Sequence, residues 1–403
     1  MQAIKQLYKI GYGPSSSHTI APYRFANYFK QVNGEFDKYE VYLGGSLALT
    51  AKGHGTTDII SKVLNTDNIS FTYDFDEPSN MMNIKGFRNN EEVLWHGISL
   101  GGGAISIKEY DCGDEDEVYQ ESNFKEIKDT LKNRDISLID YIYEKEPDLK
   151  EHLINCLNQM FITVENGFNA DGLLNEDLGY YRIAKKLIKI AKEDNDFLIA
   201  YSYATSEENA SGNIVVTAPT LGACGILTSL MYYLRFNKQE SIDTLCDMLA
   251  IAGMFGNVIK ANASIAGSTG GCQAEVGTAC AMASAAIAYY YGLDLKYIEY
   301  AAEMGIEHHL GLTCDPVKGY VIIPCIERNA VGILRAFECA YMAKQFVGIK
   351  DNAVSFDSVV KTMNYTGQKL APELKETSLG GLALEFNNEK DWVISSCWQF
   401  WLS

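Results

Sequence analysis

The sequence predicts an α+β protein, with a small N-terminal α/β domain followed by a mostly α-helical C-terminal domain. Three observations lead to this. Strand-like runs alternate with helical patterns over the first hundred or so residues. An acidic, weakly apolar segment at 111–123 interrupts the pattern. Beyond about residue 145, helical spacing dominates.

The elements follow in order. Ile20–Val32 has helical spacing, and Tyr39–Leu43 reads as a strand that stops at Gly44-Gly45. Leu47–Leu64 has a helical pattern broken at Gly53-His54-Gly55, and Ile69–Tyr73 alternates as a strand. Val93–Ile98 runs into the turn Gly101-Gly102-Gly103, after which Ala104–Ile107 resumes a strand. The acidic 111–123 segment reads as a solvated connection, which places the domains at 1–130 and 145–403. In the second domain, helices are expected at Leu149–Glu165, Tyr180–Lys192, Glu240–Ile259, Glu275–Tyr291 and Asn329–Phe346. Small residues in 277–288 suit close helix packing, and a homodimer is expected on that ground.

Composition narrows the function. Apolar residues make up 47% of 403, enough for a real core. The net charge of −18 repels phosphate backbones and anionic lipid, so neither a nucleic-acid nor a membrane partner is expected. The N-terminus lacks a signal-peptide pattern, and the apolar stretch Thr278–Leu293 is too short to span a bilayer. A cytoplasmic location is expected. The ten cysteines are then reduced, and their spacing points to metal or catalysis rather than disulfides.

Several loops could carry chemistry. Ser15, Ser16, Ser17 and Thr19 cluster with Gly13, Pro14 and His18. Hydroxyls and backbone N–H groups there suit a carboxylate or phosphate, and a histidine beside them can move a proton near neutral pH. The same serines would equally make a helix cap. His54, between two glycines, suits a catalytic position or a surface turn. Asn209, Ser211 and Thr220 flank a strand-like run and could hydrogen-bond a substrate or cap elements. Cys272 sits in a glycine-rich loop before a helix that Glu275 would open, where the helix dipole favours a thiolate. Cys314 lies in a turn at Asp315-Pro316, and Cys325 follows Pro324 at the end of a strand-like run. These three cysteines are the metal-site candidate. Cys156, Cys224, Cys246, Cys280 and Cys339 lie in apolar helical contexts and read as core.

Taken together, these segments resemble the iron–sulfur L-serine dehydratases (L-serine ammonia-lyases) in their single-chain form. The resemblance runs from Gly13-Pro14-Ser15-Ser16-Ser17-His18-Thr19 through Gly53-His54-Gly55-Thr56 and the 209–225 segment. It continues through Gly271-Cys272-Gln273-Ala274-Glu275, Leu312-Thr313-Cys314-Asp315-Pro316 and Ile323-Pro324-Cys325-Ile326-Glu327-Arg328, and ends at Lys375-Glu376-Thr377-Ser378-Leu379-Gly380-Gly381. It implies that Cys272, Cys314 and Cys325 hold a 4Fe-4S cluster, which needs four ligands when closed. The iron left open would act as a Lewis acid on the hydroxyl of L-serine. The products would be pyruvate and ammonia, formed through aminoacrylate without pyridoxal phosphate. No lysine sits in a recognisable pyridoxal motif, in agreement.

His18 or His54 is the candidate base for the Cα proton, a role usually worth ~10²–10⁴-fold. The substrate carboxylate would sit in the Ser15–Ser17 loop. Relatives often carry a cysteine near the chain end that resembles a displaceable fourth ligand. Here Cys397 is the candidate, within an aromatic tail that would otherwise pack elsewhere or make an oligomer contact. Two other readings compete. One keeps the chemistry but takes L-threonine or another β-substituted amino acid, since one methyl group is worth only ~1–3 kcal/mol of discrimination. The other is a zinc-binding structural or amino-acid-sensing protein.

Overall fold

The computed structural model describes residues 1–77, 79–113 and 117–386. Cys397 therefore lies outside the described residues. A short strand β1 (Ile10–Tyr12) precedes a five-stranded sheet built from β2 (Lys38–Gly44), β3 (Ile69–Asp74), β4 (Met81–Arg88), β5 (Glu91–Gly101) and β6 (Ala104–Ile107). The order across the sheet is β3-β2-β4-β5-β6, with β2 and β3 parallel and the other pairs antiparallel. Alternation along β2 turns Tyr39, Val41 and Leu43 to one face, where Met82, Ile84 and Trp95 join them. Phe25 and Phe29 of the Ala21–Asn33 helix, with Ile59 and Ile60 of the Thr56–Leu64 helix, close this small core.

Strand β4 was not expected. Its inward positions are Met82, Ile84 and Gly86, and the glycine hides the alternation. Gly86 is required because a Cβ there would lie 2.6 Å from the Phe36 ring. The pattern expected over 47–64 divides into Ser46–Leu49 and Thr56–Leu64, separated by the His54 loop.

The larger core is helical. Its central member, Ile242–Asn262, is long and apolar enough to cross a membrane, and is a longer apolar run than Thr278–Leu293. In this structure 78% of its most apolar window is buried inside protein, so the run makes core contacts. The small residues of the Thr278–Tyr290 helix admit the Leu295–Glu307 helix closely. A Cβ on Gly305 would stand 2.8 Å from the Ala281 Cα. The expected Tyr180–Lys192 helix is reduced to Ala184–Ile190, because Tyr180–Tyr181 pairs as a strand with Leu173–Asn175. The helices Asp194–Ala210, Leu295–Glu307 and Phe356–Lys369 were not foreseen.

The two cores do not follow chain order. Ile4, Leu7 and Tyr8 are buried in the helical core, and β1 pairs with Ile214–Val216. The chain then crosses to the sheet and returns at Val118 and Tyr119, whose N–H groups donate to the Met1 carbonyl. Tyr119 is buried, so the end of the acidic connection is drawn inside. Buried Glu146 ties these strands of chain together, accepting from the Ile4 N–H at 2.6 Å and the Tyr119 hydroxyl at 2.7 Å.

Glu146→Ala would leave both donors buried without an acceptor, each costing ~1–3 kcal/mol. Guanidinium unfolding should show a lowered midpoint, corresponding to a loss of about 2–4 kcal/mol, with the slope unchanged.

Candidate active site

The first loop folds into a buried turn. Ser15 caps it by accepting from the His18 N–H at 3.2 Å, and the wide turn Ser16–Ile20 runs straight into the Ala21–Asn33 helix. Ser15, Ser16, Ser17, His18 and Thr19 are all buried. The His18 ring is held at both nitrogens, with Ser17 Oγ at 2.7 Å from Nδ1 and Ser46 Oγ at 2.8 Å from Nε2. Ser46 Oγ donates to the Glu376 carbonyl at 2.9 Å. With that proton committed, the Nε2–H of His18 donates to Ser46, and Nδ1 accepts from Ser17.

The second loop brings His54 beside His18. Gly55, at φ 62°, takes the left-handed conformation that ends the loop before the Thr56–Leu64 helix. The two loops are cross-linked. Thr19 Oγ1 donates to the His54 carbonyl at 2.7 Å, and Thr56 Oγ1 donates to the His18 carbonyl at 2.6 Å. The imidazoles stack, with centroids 4.7 Å apart. His54 Nδ1 lies 3.3 Å from the Thr50 carbonyl and must donate to it, which leaves the lone pair on Nε2. Glu376 Oε1 lies 3.5 Å from His54 Nε2 and 3.7 Å from His18 Nδ1. Burial lowers both histidine pKa values. His18 falls well below 6.5, with His54 adding to the effect, and His54 falls to about 4. Both are neutral bases at pH 7.

The cysteine side comes from the helical core. Cys272 precedes the wide turn Gln273–Gly277 that opens the Thr278–Tyr290 helix. Cys325 does not end a strand. The apolar run before it forms turns, with no strand partner among the described residues, and Cys325 is the first residue of the Cys325–Gln345 helix. Cys314 is anchored by its backbone, donating to the Leu374 carbonyl at 2.8 Å and accepting from the Glu376 N–H at 2.7 Å.

Cys314 and Cys325 line one small pocket with His54, Ser15, Glu275 and Glu376. Burial pushes all three thiols up, Cys272 to about 11, and the charges of the three act on one another. Arg328 lies beside Cys272 and Cys325. It donates to the Thr313 carbonyl at 2.6 Å and lies 3.5 Å from Asp315 Oδ1, bracing the cysteine loop. Asp315 Oδ2 in turn accepts from the Leu382 N–H at 2.8 Å.

Asn209 donates to the carbonyls of Pro14 at 2.8 Å and Leu221 at 3.2 Å, so it holds the serine turn in place. Thr220 lies beside the Glu275 carboxyl, and its hydroxyl closes no well-formed hydrogen bond. The Glu275 carboxyl is pushed up to about 7 by burial. Gly222 and Gly267 make room for it, since a Cβ on either would come within 2.9 Å of a carboxylate oxygen.

Sequence reasoning missed Glu275 and Glu376 as site residues, and Ser46 and Arg328 as their supports. Glu376 lies 51 residues beyond Cys325, in a segment whose only signals are a hydroxyl pair and two glycines. Nothing in that spacing shows that the backbone of Cys314 grips it.

A neutral histidine, two carboxyls and two thiols at one small pocket are the equipment of an enzyme that moves protons beside a metal group, and the comparisons give the family. The serine dehydratase alpha chain matches residues 80–383, and the serine dehydratase beta chain matches residues 3–77. The chain belongs to the serine dehydratase family. It is 32% identical to an L-serine dehydratase of Streptomyces coelicolor, over 95% of this chain and 98% of the relative. An L-serine dehydratase of Helicobacter pylori is 33% identical, over 94% and 98%. L-serine dehydratase 2 of Escherichia coli is 32% identical, over 96% and 99%. The junction of the two matches falls between β3 and β4, so both contribute strands to one sheet.

The histidine pair makes stability depend on pH. The folded-state value of His54 is depressed, so its stabilisation is present above pH 6.5 and is lost as pH falls toward 4. Its share is up to about 3 kcal/mol. His54→Gln in the apoprotein should flatten the fall in Tm between pH 6.5 and 4, as followed by circular dichroism.

Proposed function

We propose that the chain is an L-serine ammonia-lyase, converting L-serine through aminoacrylate to pyruvate and ammonia, with a 4Fe-4S cluster on Cys272, Cys314 and Cys325. Family membership and the names of the relatives support the substrate. The observation that carries the reading is His54 Nε2, an imidazole lone pair that faces Glu376 Oε1 at 3.5 Å in a pocket also lined by Cys314 and Cys325.

The donor set fits a cluster. Buried thiols ionise only against a cation; Cys314 and Cys325 line this pocket, and Cys272 is near enough for its charge to act on both. Among the described residues, no three His, Cys, Asp or Glu side chains converge closely enough for a single metal ion. When bound, the cluster would supply an open iron that helps the substrate hydroxyl leave. Cys397 remains the candidate fourth ligand.

The chain's own residues do the rest. His54 Nε2 takes the Cα proton. Its Nδ1–H bond to the Thr50 carbonyl keeps it in the accepting tautomer. His18 is bonded at both nitrogens and acts by holding His54 in place through stacking and the two threonine cross-links. Of the loop hydroxyl residues, Ser15 lines the pocket and is assigned to the substrate carboxylate. Ser17 and Thr19 are committed to the histidines. The −18 charge supports a protein without nucleic-acid or anionic-membrane partners, and a cytoplasmic location and a homodimer are part of the same reading.

Anaerobically prepared protein should contain on the order of four irons and four sulfides per chain and form pyruvate from L-serine. Cys272→Ser should lose both cluster and activity. A colourless protein with stoichiometric zinc would sink this reading. His54→Gln should keep the cluster and lower kcat by ~10²–10⁴-fold, with His18→Gln raising no comparable separation of kcat from KM.

A further inference from the structure

We propose that Glu376 is the recognition point for the substrate's ammonium group, which makes the pocket selective for α-amino acids over hydroxy acids of the same shape. The inference rests on the serine reading of the pocket and deepens it. Glu376 is 4% exposed and lines the pocket. Its Oε1 faces the two histidines, while Oε2 is buried and accepts no hydrogen bond. The Ser268 backbone N–H lies near the carboxyl, yet leaves Oε2 without a partner. An orphaned carboxyl oxygen inside a protein is costly as an anion, so burial, with Glu275 nearby, pushes the Glu376 carboxyl up, and a cation arriving at Oε2 would restore the carboxylate.

The backbone is arranged to put it there. Glu376 has a φ of 59°, in the left-handed region that residues with a Cβ seldom adopt. It is pinned by its N–H to the Cys314 carbonyl at 2.7 Å and by its carbonyl to Ser46 Oγ at 2.9 Å. Residues kept in such conformations by their surroundings cluster at ligand sites.

The pocket is also short of positive charge. Glu275 is a second carboxyl group at its wall. Among the described residues no lysine or arginine pairs with Glu376, and Arg328 is engaged by Thr313 and Asp315. An ammonium group brings one charge and three donors. On Oε2 it would also place the adjoining Cα beside His54 Nε2, because Oε1 of the same carboxyl lies 3.5 Å from that nitrogen. A nitrogen held as a cation makes its Cα proton easier to remove, so recognition and chemistry would use the same contact.

The test compares two ligands that lack a Cα proton and cannot react. α-Methyl-L-serine carries the ammonium, and 2-methylglycerate has a hydroxyl in its place. Both are titrated calorimetrically into anaerobic holoenzyme. The wild type should prefer α-methyl-L-serine, and Glu376→Gln should weaken it about 100-fold while leaving 2-methylglycerate unchanged. With L-serine, the variant should show a raised KM. Equal weakening of both ligands, or unchanged binding with only kcat lost, would overturn the proposal and leave Glu376 as a positioning residue for the histidines. If the glutamine variant does not retain the cluster, Glu376→Asp is read the same way. It keeps the charge but withdraws it by one methylene, so selective weakening of α-methyl-L-serine supports the proposal and parallel weakening overturns it. A wild type without cluster or pyruvate formation would instead refute the functional reading itself.

Discussion

Gly53 and Gly319 bring the sheet layer and the helical core closer than side chains would allow. A Cβ on Gly53 would stand 2.2 Å from the Gly319 carbonyl oxygen. This contact is the seam of the molecule. On one side it carries the His54 loop, and on the other the loop between Cys314 and Cys325. Everything at the site depends on that closeness, because neither layer holds the histidines and the cysteines together. The seam is reinforced by Ser46, which reaches His18 on its own side and the Glu376 carbonyl on the other.

The seam also gathers buried polar and ionisable groups. His18, His54, Glu376, Cys272 and Cys314 are buried there, Glu275 and Cys325 are half-buried, and Arg328 is the cation beside the cysteines. Burial drives each toward its neutral form, the imidazoles down and the thiols and carboxyls up. A site in that condition has the base already deprotonated, and it gains by taking in positive charge. The threonine cross-links between the histidine loops then do geometric work. Each satisfies a backbone carbonyl while fixing one ring against the other.

Much of the architecture was legible because periodicity reports burial. Strands β2, β3, β5 and β6 and the long helices around Cys156, Cys246, Cys280 and Cys339 stand close to where alternation or helical spacing put them. The failures have local causes. Gly86 erased the alternation of β4 because packing against Phe36 forbids a side chain there. The apolar run before Cys325 looked like a strand, but it joins none of the sheets among the described residues and turns instead. Tyr180 and Tyr181 were taken from a helical pattern by a hairpin with Leu173–Asn175, a pairing that depends on the intervening turn.

Residue types and spacing by themselves determined the mixed fold, the three cysteines and the two histidine loops as places for chemistry. These are local properties: a glycine-flanked histidine or a cysteine at the start of a helix is visible within a few residues. Which histidine keeps a nitrogen outside a hydrogen bond was decided only by tertiary structure, through the serines on His18 and the Thr50 carbonyl on His54. The same holds for Glu376. Its role rests on a backbone hydrogen bond to a cysteine 62 residues earlier and on an imidazole more than 300 residues earlier. Contacts across such separations leave no period in a sequence, because they are made by the packing of two layers rather than by either layer alone.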